Sequence, residues 1–445
     1  MTDKQLWGGE TAKAVENFPI SGETVPIAVV HWLARIKGAA AAVNAELGGL
    51  DERRAGKIEK AAAEIAAGKH DGQFPIDVFQ TGSGTSTNMN ANEVIATLAG
   101  EAVHPNDHVN MGQSSNDVFP SAVHLAALDL ASNELLPALK TLERSLTRKA
   151  KSFQNVVKSG RTHLMDAVPV TLGQEFAGYA AQIALGQERV RDALVHVGQI
   201  PLGGTATGTG LNTHPKFAEK VRARLKKESG LRQIAAPADR FEAQAARDAL
   251  VELSGALKVI AVSLTKIAND IALMGSGPRA GIGELYLPEL QKGSSIMPGK
   301  VNPVLPEVVL QVSAQVIGND TAITIGGMQG QFELNVRIPL IARNLIQSIH
   351  LLSTASAAFA QKCVDGIKVN KAGTDASAGA TLAVATALNG AIGYDKAATI
   401  VKKATESGRP LREVALEEGV DAKLYDETID LRKIAAGNAA GNAAG

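Results

Sequence analysis

Hydrophobic residues along this chain recur in alternating steps of three and four. The clearest run passes through Leu250, Leu253, Leu257, Ile260, Leu264, Ile267 and Ile271, a seam with a period near 3.5 residues. A second follows Leu172, Phe176, Tyr179, Ile183, Val190, Leu194 and Val197, with Gly186 in the slot where an apolar side chain is due. Leu125, Leu128, Leu135, Leu139, Leu142 and Leu146 mark a third, and a fourth covers Ile338 to Leu352. A long helix cannot cover such a stripe by itself, so these segments predict a bundle of long helices. An intramolecular core accounts for each stripe singly. Several stripes of this length together also favour helices shared between copies of the chain, and a homo-oligomer is expected.

Between the helical runs lie polar, glycine-rich stretches read as non-helical: residues 81–90, 104–117, 160–169, 201–215 and 292–306. From Ala435 onward the chain repeats an Ala-Ala-Gly-Asn unit, a low-complexity tail expected to be disordered. No repeat of the solenoid kind is present.

Composition narrows the class. A chain of 445 residues can build a large core and more than one domain. Only 4% of residues are aromatic while glycine alone counts 44, which suits closely packed helices better than a β-sandwich. Lys plus Arg and Asp plus Glu each total 45. That balance argues against a nucleic-acid-binding surface or an anionic-membrane anchor. Cys363 is the single cysteine, so neither an intrachain disulfide nor a multi-cysteine metal site is available. No His, Asp or Glu cluster has metal-site spacing either. The start, Met1-Thr2-Asp3-Lys4, lacks the basic-then-apolar run of a secretory signal, and no uncharged stretch has membrane-spanning length. A soluble, cytoplasmic protein without nucleic-acid or membrane partners is expected.

The candidate chemistry sits in the breaks. Gly293-Ser294-Ser295-Ile296-Met297-Pro298-Gly299-Lys300-Val301-Asn302-Pro303 frames two serines, a lysine and an amide between glycines and prolines. Such a loop turns sharply and can present several donors to an anion. An ordinary surface loop has no need of that combination. The run Gly203-Gly204-Thr205-Ala206-Thr207-Gly208-Thr209-Gly210 invites comparison with a phosphate cradle, but it lacks a Gly-Lys-Ser/Thr ending and no parallel-strand signal precedes it. The serines, threonines and asparagines of the remaining breaks precede apolar-periodic stretches, so helix capping is their plainer reading. The two readings are compatible, since helix N-termini themselves attract anions.

The 293–303 loop resembles the signature loop of the fumarase/aspartase superfamily. The likeness extends in order through Gln80-Thr81-Gly82-Ser83-Gly84-Thr85-Ser86, His104-Pro105-Asn106-Asp107, Gln113-Ser114-Ser115-Asn116-Asp117, Gly160-Arg161-Thr162-His163, and Gly203-Gly204-Thr205-Ala206 through Gly210-Leu211-Asn212. It implies a mostly α-helical, three-domain chain: an N-terminal helical domain over 1–112, a central long-helix bundle over 113–369 and a small C-terminal helical domain over 370–445. It also implies a homotetramer with a core of packed helices and active sites shared between subunits.

What the resemblance implies for the site can be stated residue by residue. Ser294 is the base that removes a proton from the carbon beside a substrate carboxylate. His163, in a turn between two helices, activates the water, and Glu307 is its orienting carboxylate. Ser83, Gly84, Thr85, Ser114, Ser115, Asn116, Thr162, Ser295, Lys300, Val301 and Asn302 hold a dicarboxylate, without metal or cofactor. His104, Pro105, Asn106 and Asp107 match a second dicarboxylate-binding region, with a structural turn as an equal reading. The chemistry explains the loop: removing that proton creates a doubly charged aci-carboxylate, which needs donors arranged in advance. A serine becomes a base only when its alkoxide is stabilised, and Lys300 and the loop amides are the available sources.

The superfamily runs several reactions on one base loop. Within it, Arg161-Thr162-His163-Leu164, Ser114-Ser115-Asn116-Asp117, Phe332-Glu333-Leu334-Asn335-Val336 and Ile392-Gly393-Tyr394-Asp395-Lys396-Ala397-Ala398 resemble class II fumarases. Aspartases usually carry glutamine where His163 stands and threonine at the position of Ser115. The implied reaction is hydration of fumarate to L-malate in the tricarboxylic acid cycle. The alternatives are an aspartate ammonia-lyase and an inactive helical scaffold. The chain departs from the pattern in a late start, a shorter connection between Glu93 and His104, and the Ala/Gly/Asn tail.

Overall fold

The computed structural model describes residues 5–437. It is mostly helical, with two small two-stranded antiparallel sheets among the described residues. Contacts divide the chain into two compact units, whose boundaries fall inside long helices. The first holds residues up to Ala138 with Gly186–Val262 and Val312–Thr354; the second holds Leu139–Leu185, Ser263–Gln311 and the chain from Ala355 onward.

The apolar seams are the cores. Leu250 to Ile271 lies within the helix Asp248–Met274, and every seam residue in it is at most 1% exposed. Truncating one of these leucines to alanine should cost about 3 kcal/mol. The second seam lies in the helix Leu172–Val197 and is buried throughout. Its missing slot has a packing reason. A methyl group added at Gly186 would stand 3.1 Å from Cγ1 of Ile260 in the first seam, so the glycine lets the two helices approach closely. The third seam runs through the helix Ser115–Leu130, one wide helical turn at Ala131–Leu135, and the helix Leu136–Ser152.

In the first unit the helices Ile27–Glu46, Glu52–Ala66, Thr85–Ala99 and Ser115–Leu130 pack together. Asp51 caps the second of them through the backbone N–H of Arg54. Trp32 Nε1 donates to Asp129 Oδ2 at 3.0 Å. Lys37 is fully buried, and its ammonium reaches Asn110 Oδ1 at 3.2 Å and Gln113 Oε1 at 3.4 Å. Burial pushes Lys37 down to about 7, and the Asp117 charge opposes that shift. In the second unit β1 (Val157–Thr162) pairs with β2 (Met165–Thr171), and β3 (Leu285–Tyr286) with β4 (Lys368–Val369). Toward the C-terminus a separate small core gathers Val384, Leu388, Ile400, Leu411, Val414 and Tyr425.

Three of the stretches read as non-helical are partly helical. Thr85 to residue 90 belongs to the helix Thr85–Ala99, whose polar side chains are turned inward: Asn88 donates to Asn110 Oδ1 and Asn90 to the Gln73 carbonyl. Within 104–117, Pro105–Val109 forms a single wide helical turn and Ser115 opens a helix. Val304 opens the helix Val304–Gly327 before 292–306 ends. The segment 157–171 is a β-hairpin rather than a turn between two helices. In the tail, Ala435 and Ala436 close the short helix Leu431–Ala436, and 438–445 lie outside the described residues.

His124 gives the first unit a pH dependence. It is buried, and its Nδ1–H donates to the Val197 carbonyl at 2.9 Å. Burial pushes the imidazole from 6.5 down to about 3, and the nearby Arg247 charge acts in the same direction. A folded-state pKa below the unfolded value gives stability that is complete above pH 6.5 and lost as pH falls toward 3. The loss should reach on the order of 3 kcal/mol by pH 4. His124→Gln keeps a donor for Val197 and removes the titration. Urea unfolding of this variant should therefore show a shallower loss of stability between pH 6.5 and 4 than the parent; equal slopes would refute the assignment.

Candidate active site

In the first unit, Ser83, Gly84 and Thr85 lead into the helix Thr85–Ala99, with Gly84 at φ 76° turning the chain. Ser83 Oγ and Thr85 Oγ1 lie 2.8 Å apart, and Thr85 Oγ1 lies 2.8 Å from Ser115 Oγ. Three expected site residues thus form one hydroxyl chain joining two helix starts. Ser114 is the true cap among them. Its side chain accepts from Asn116 N–H, while Asp117 Oδ1 accepts from Ser114 N–H, which makes a capping box. Asn116 Nδ2 donates to the Ala206 carbonyl at 3.0 Å.

Asp117 was not singled out from the sequence, yet it organises this cluster. Its Oδ2 accepts N–H bonds from Gly203 at 2.9 Å and Thr205 at 3.0 Å. The amides that might have suggested a phosphate cradle are therefore occupied by a carboxylate. Burial pushes Asp117 up to about 6, and the N–H groups of Ser114, Gly203 and Thr205 oppose that shift.

In the second unit, β1 and β2 pair Thr162 with Met165, so the hairpin loop is His163-Leu164. Both residues have left-handed backbones, at φ 57° and 61°. Two-residue hairpin loops with two positive φ values normally take Asn and Gly. A histidine and a leucine there cost about 1 kcal/mol each or more. The outcome is an imidazole held out at the tip, with Thr162, His163 and Leu164 all exposed.

The 293–303 loop is closed at its neck. Gly293 N–H donates to the Lys300 carbonyl at 3.0 Å and Asn302 Nδ2 to the Gly293 carbonyl at 2.8 Å. A Cβ at residue 293 would fall 2.2 Å from that Lys300 oxygen, so only glycine fits. Inside the loop Ser294 Oγ accepts N–H bonds from Ile296 at 3.2 Å and Met297 at 3.1 Å. These donors are the ones a serine alkoxide requires. Ser295, Lys300 and Val301 are exposed. Glu307 lies in the first turn of the helix Val304–Gly327. Within the chain, no hydrogen bond or ion pair joins it to His163 among the described residues.

The second region folds on itself. His104 Nδ1 accepts the Asp107 N–H at 3.1 Å, and His104 N–H donates to His108 Nδ1 at 2.8 Å. In that tautomer Nδ1 carries no proton for the nearby Asp107 carboxylate, at 3.2 Å. The geometry is that of a turn, with Pro105 at its first position.

A loop serine that accepts two backbone N–H bonds and a histidine held out at a hairpin tip are groups suited to proton transfer. A family model described as Lyase matches residues 1–318, and one described as Fumarase C C-terminus matches 384–436. The fumarate hydratase class II of Corynebacterium glutamicum is 57% identical over 434 residues, 96% of this chain and 92% of that one. The corresponding protein of Mycobacterium tuberculosis is 55% identical over 433 residues, 96% and 91% of the two chains. The crystal structure of the recombinant class II fumarase from Schistosoma mansoni gives a TM-score of 0.95 at 38% identity, covering 98% of this chain and 96% of that one. The chain belongs to the class II fumarate hydratase family.

Proposed function

We propose that this protein catalyses the reversible addition of water to fumarate, giving L-malate. The observation that carries the reading is the Ser294 hydroxyl beneath two backbone N–H groups in a glycine-necked loop. In the malate-to-fumarate direction, the Ser294 alkoxide takes a proton from the carbon beside a carboxylate, leaving an aci-carboxylate. The carbon–oxygen bond at the neighbouring carbon then breaks, and His163 protonates the departing hydroxide. Hydration runs these steps backward. Lys300 pairs with no carboxylate among the described residues, which leaves its ammonium for a substrate anion. The hydroxyl chain of Ser83, Thr85 and Ser115, with Ser114, Asn116, Thr162 and Asn302, supplies neutral donors for two carboxylates.

The assembly is read as a homotetramer. Val195, Val259, Val262, Ile317 and Ile325 are exposed apolar positions on the long helices, which a subunit contact would cover. The 83–86 and 114–117 segments, the 162–163 tip and the 294–302 loop then come from different subunits at each site. No helix among the described residues is long and apolar enough to cross a membrane, and a cytoplasmic location is part of the same reading.

No group of three or more His, Cys, Asp or Glu among the described residues is placed to hold a metal ion. The test offers purified protein fumarate with and without ammonium, before and after exhaustive chelation. Malate formed in every arm is the expected result. Aspartate formed only with ammonium would make the protein an ammonia-lyase. No product would favour a scaffold, and turnover abolished by chelation and restored by a divalent cation would overturn the metal-free mechanism.

A further inference from the structure

We propose that Glu284 is a positioning residue that holds the His163 hairpin in its working geometry. The inference rests on the reading of His163 given above. Glu284 has no exposed surface, and its carboxylate is gripped from three sides. Arg161 donates Nη1 to Oε2 at 3.0 Å and Nη2 to Oε1 at 2.9 Å, a two-pronged fork. Lys158, itself buried, brings Nζ to 3.3 Å from Oε2, and Ser377 Oγ donates to Oε1 at 2.8 Å. The backbone of Glu284 is fixed as well: its N–H donates to the Met274 carbonyl and its carbonyl accepts from Asn370 N–H.

Both cations lie on β1, the strand that ends at Thr162, next to His163 in the loop. An isolated two-stranded hairpin is marginal in water, and this one carries two left-handed non-glycine residues at its tip. The fork from Arg161 lies two residues before the imidazole and ties the strand to a point set by distant segments. Lys158 adds a second tie at 2.8 Å to Glu175 Oε1, in the next helix. Together they fix where the tip begins and which way it points. A cavity of about 440 Å³ lined by Lys158, Arg161, Leu164 and Glu175 lies alongside, so packing on that side gives the hairpin little support. Elsewhere the strands pack on the helices Lys371–Ala380 and Leu431–Ala436, so it is at the base of the tip that the salt bridges carry the placement.

Two variants test this: Glu284→Gln, which keeps the shape and breaks the charged fork, and Arg161→Lys, which keeps the charge and loses the fork. Each is compared with the parent for melting temperature, subunit assembly, kcat, KM, and exchange of the malate carbon-bound proton with solvent. For folded, assembled protein, kcat should fall at least about tenfold, because misplaced proton-transfer groups lose the bulk of an effect of about 100-fold or more. KM should stay within about threefold and proton exchange should persist, since Ser294 is untouched. Turnover and exchange falling in the same proportion as the folded fraction would mean a merely structural role and overturn the inference. A kcat within twofold of the parent would overturn it too. His163→Asn is assayed alongside. If it is inactive while both variants work normally, this inference alone fails; if it turns over normally, the role of His163 fails and this inference with it.

Discussion

Ser294→Ala should lower kcat for malate dehydration by about three orders of magnitude, within the range of about 10²–10⁴ associated with a positioned proton-transfer group. That corresponds to about 4 kcal/mol of transition-state stabilisation. KM should move by only a few-fold, because the hydroxyl acts on a carbon-bound proton and binds neither carboxylate in the proposed roles. Stability should hardly change: the side chain is half-buried, and the two N–H bonds it accepts are long, at 3.2 and 3.1 Å. Losing them should cost about 1 kcal/mol at most. Ser295→Ala is the control that makes the result specific. Ser295 is exposed beside it, and its replacement should reduce kcat less than about tenfold, with the proton-transfer group itself still in place. If the two variants lose activity equally, the base is not assigned to Ser294; if Ser295→Ala is the worse, the neighbouring serine takes the role.

Much of this was legible in the sequence because it was periodic. The seam from Leu250 to Ile271 is buried position by position, and even its partner's gap at Gly186 has a contact in Ile260. Periodicity failed where burial was polar. The helix Thr85–Ala99 turns Asn88, Asn90 and Asn92 inward, and a run of asparagines after a glycine gives no apolar stripe. β1 shows no alternation either, since Lys158, Ser159 and Gly160 are all buried in succession. Lys158 can be buried there because Glu284 and Glu175 face it, and Glu284 is remote in sequence. Motif likeness supplied what periodicity could not, namely the loop and the histidine. It did not show that Asp117 clamps the Gly203 and Thr205 amides or that Glu284 anchors the hairpin. Both are single carboxylates whose work is defined by partners in other segments.

His163→Asn should reduce kcat by about 10²–10⁴ while leaving the hairpin intact, and the choice of asparagine is what makes the loss interpretable. Residue 163 has a φ of 57°, a conformation asparagine tolerates better than most residues. The variant should therefore be as stable as the parent or slightly more so; a β-branched replacement would confuse loss of the imidazole with collapse of the turn. The division of labour between the two groups gives a sharper readout than rate alone. In the proposed mechanism Ser294 removes the carbon-bound proton and His163 handles the oxygen, so the two would control different steps. In His163→Asn the proton of malate should still be abstracted and returned, exchanging with solvent while almost no fumarate accumulates. In Ser294→Ala both exchange and fumarate formation should disappear, because no carbanion forms. The opposite pattern, exchange surviving without Ser294 and vanishing without His163, would reverse the assignment of carbon base and water base.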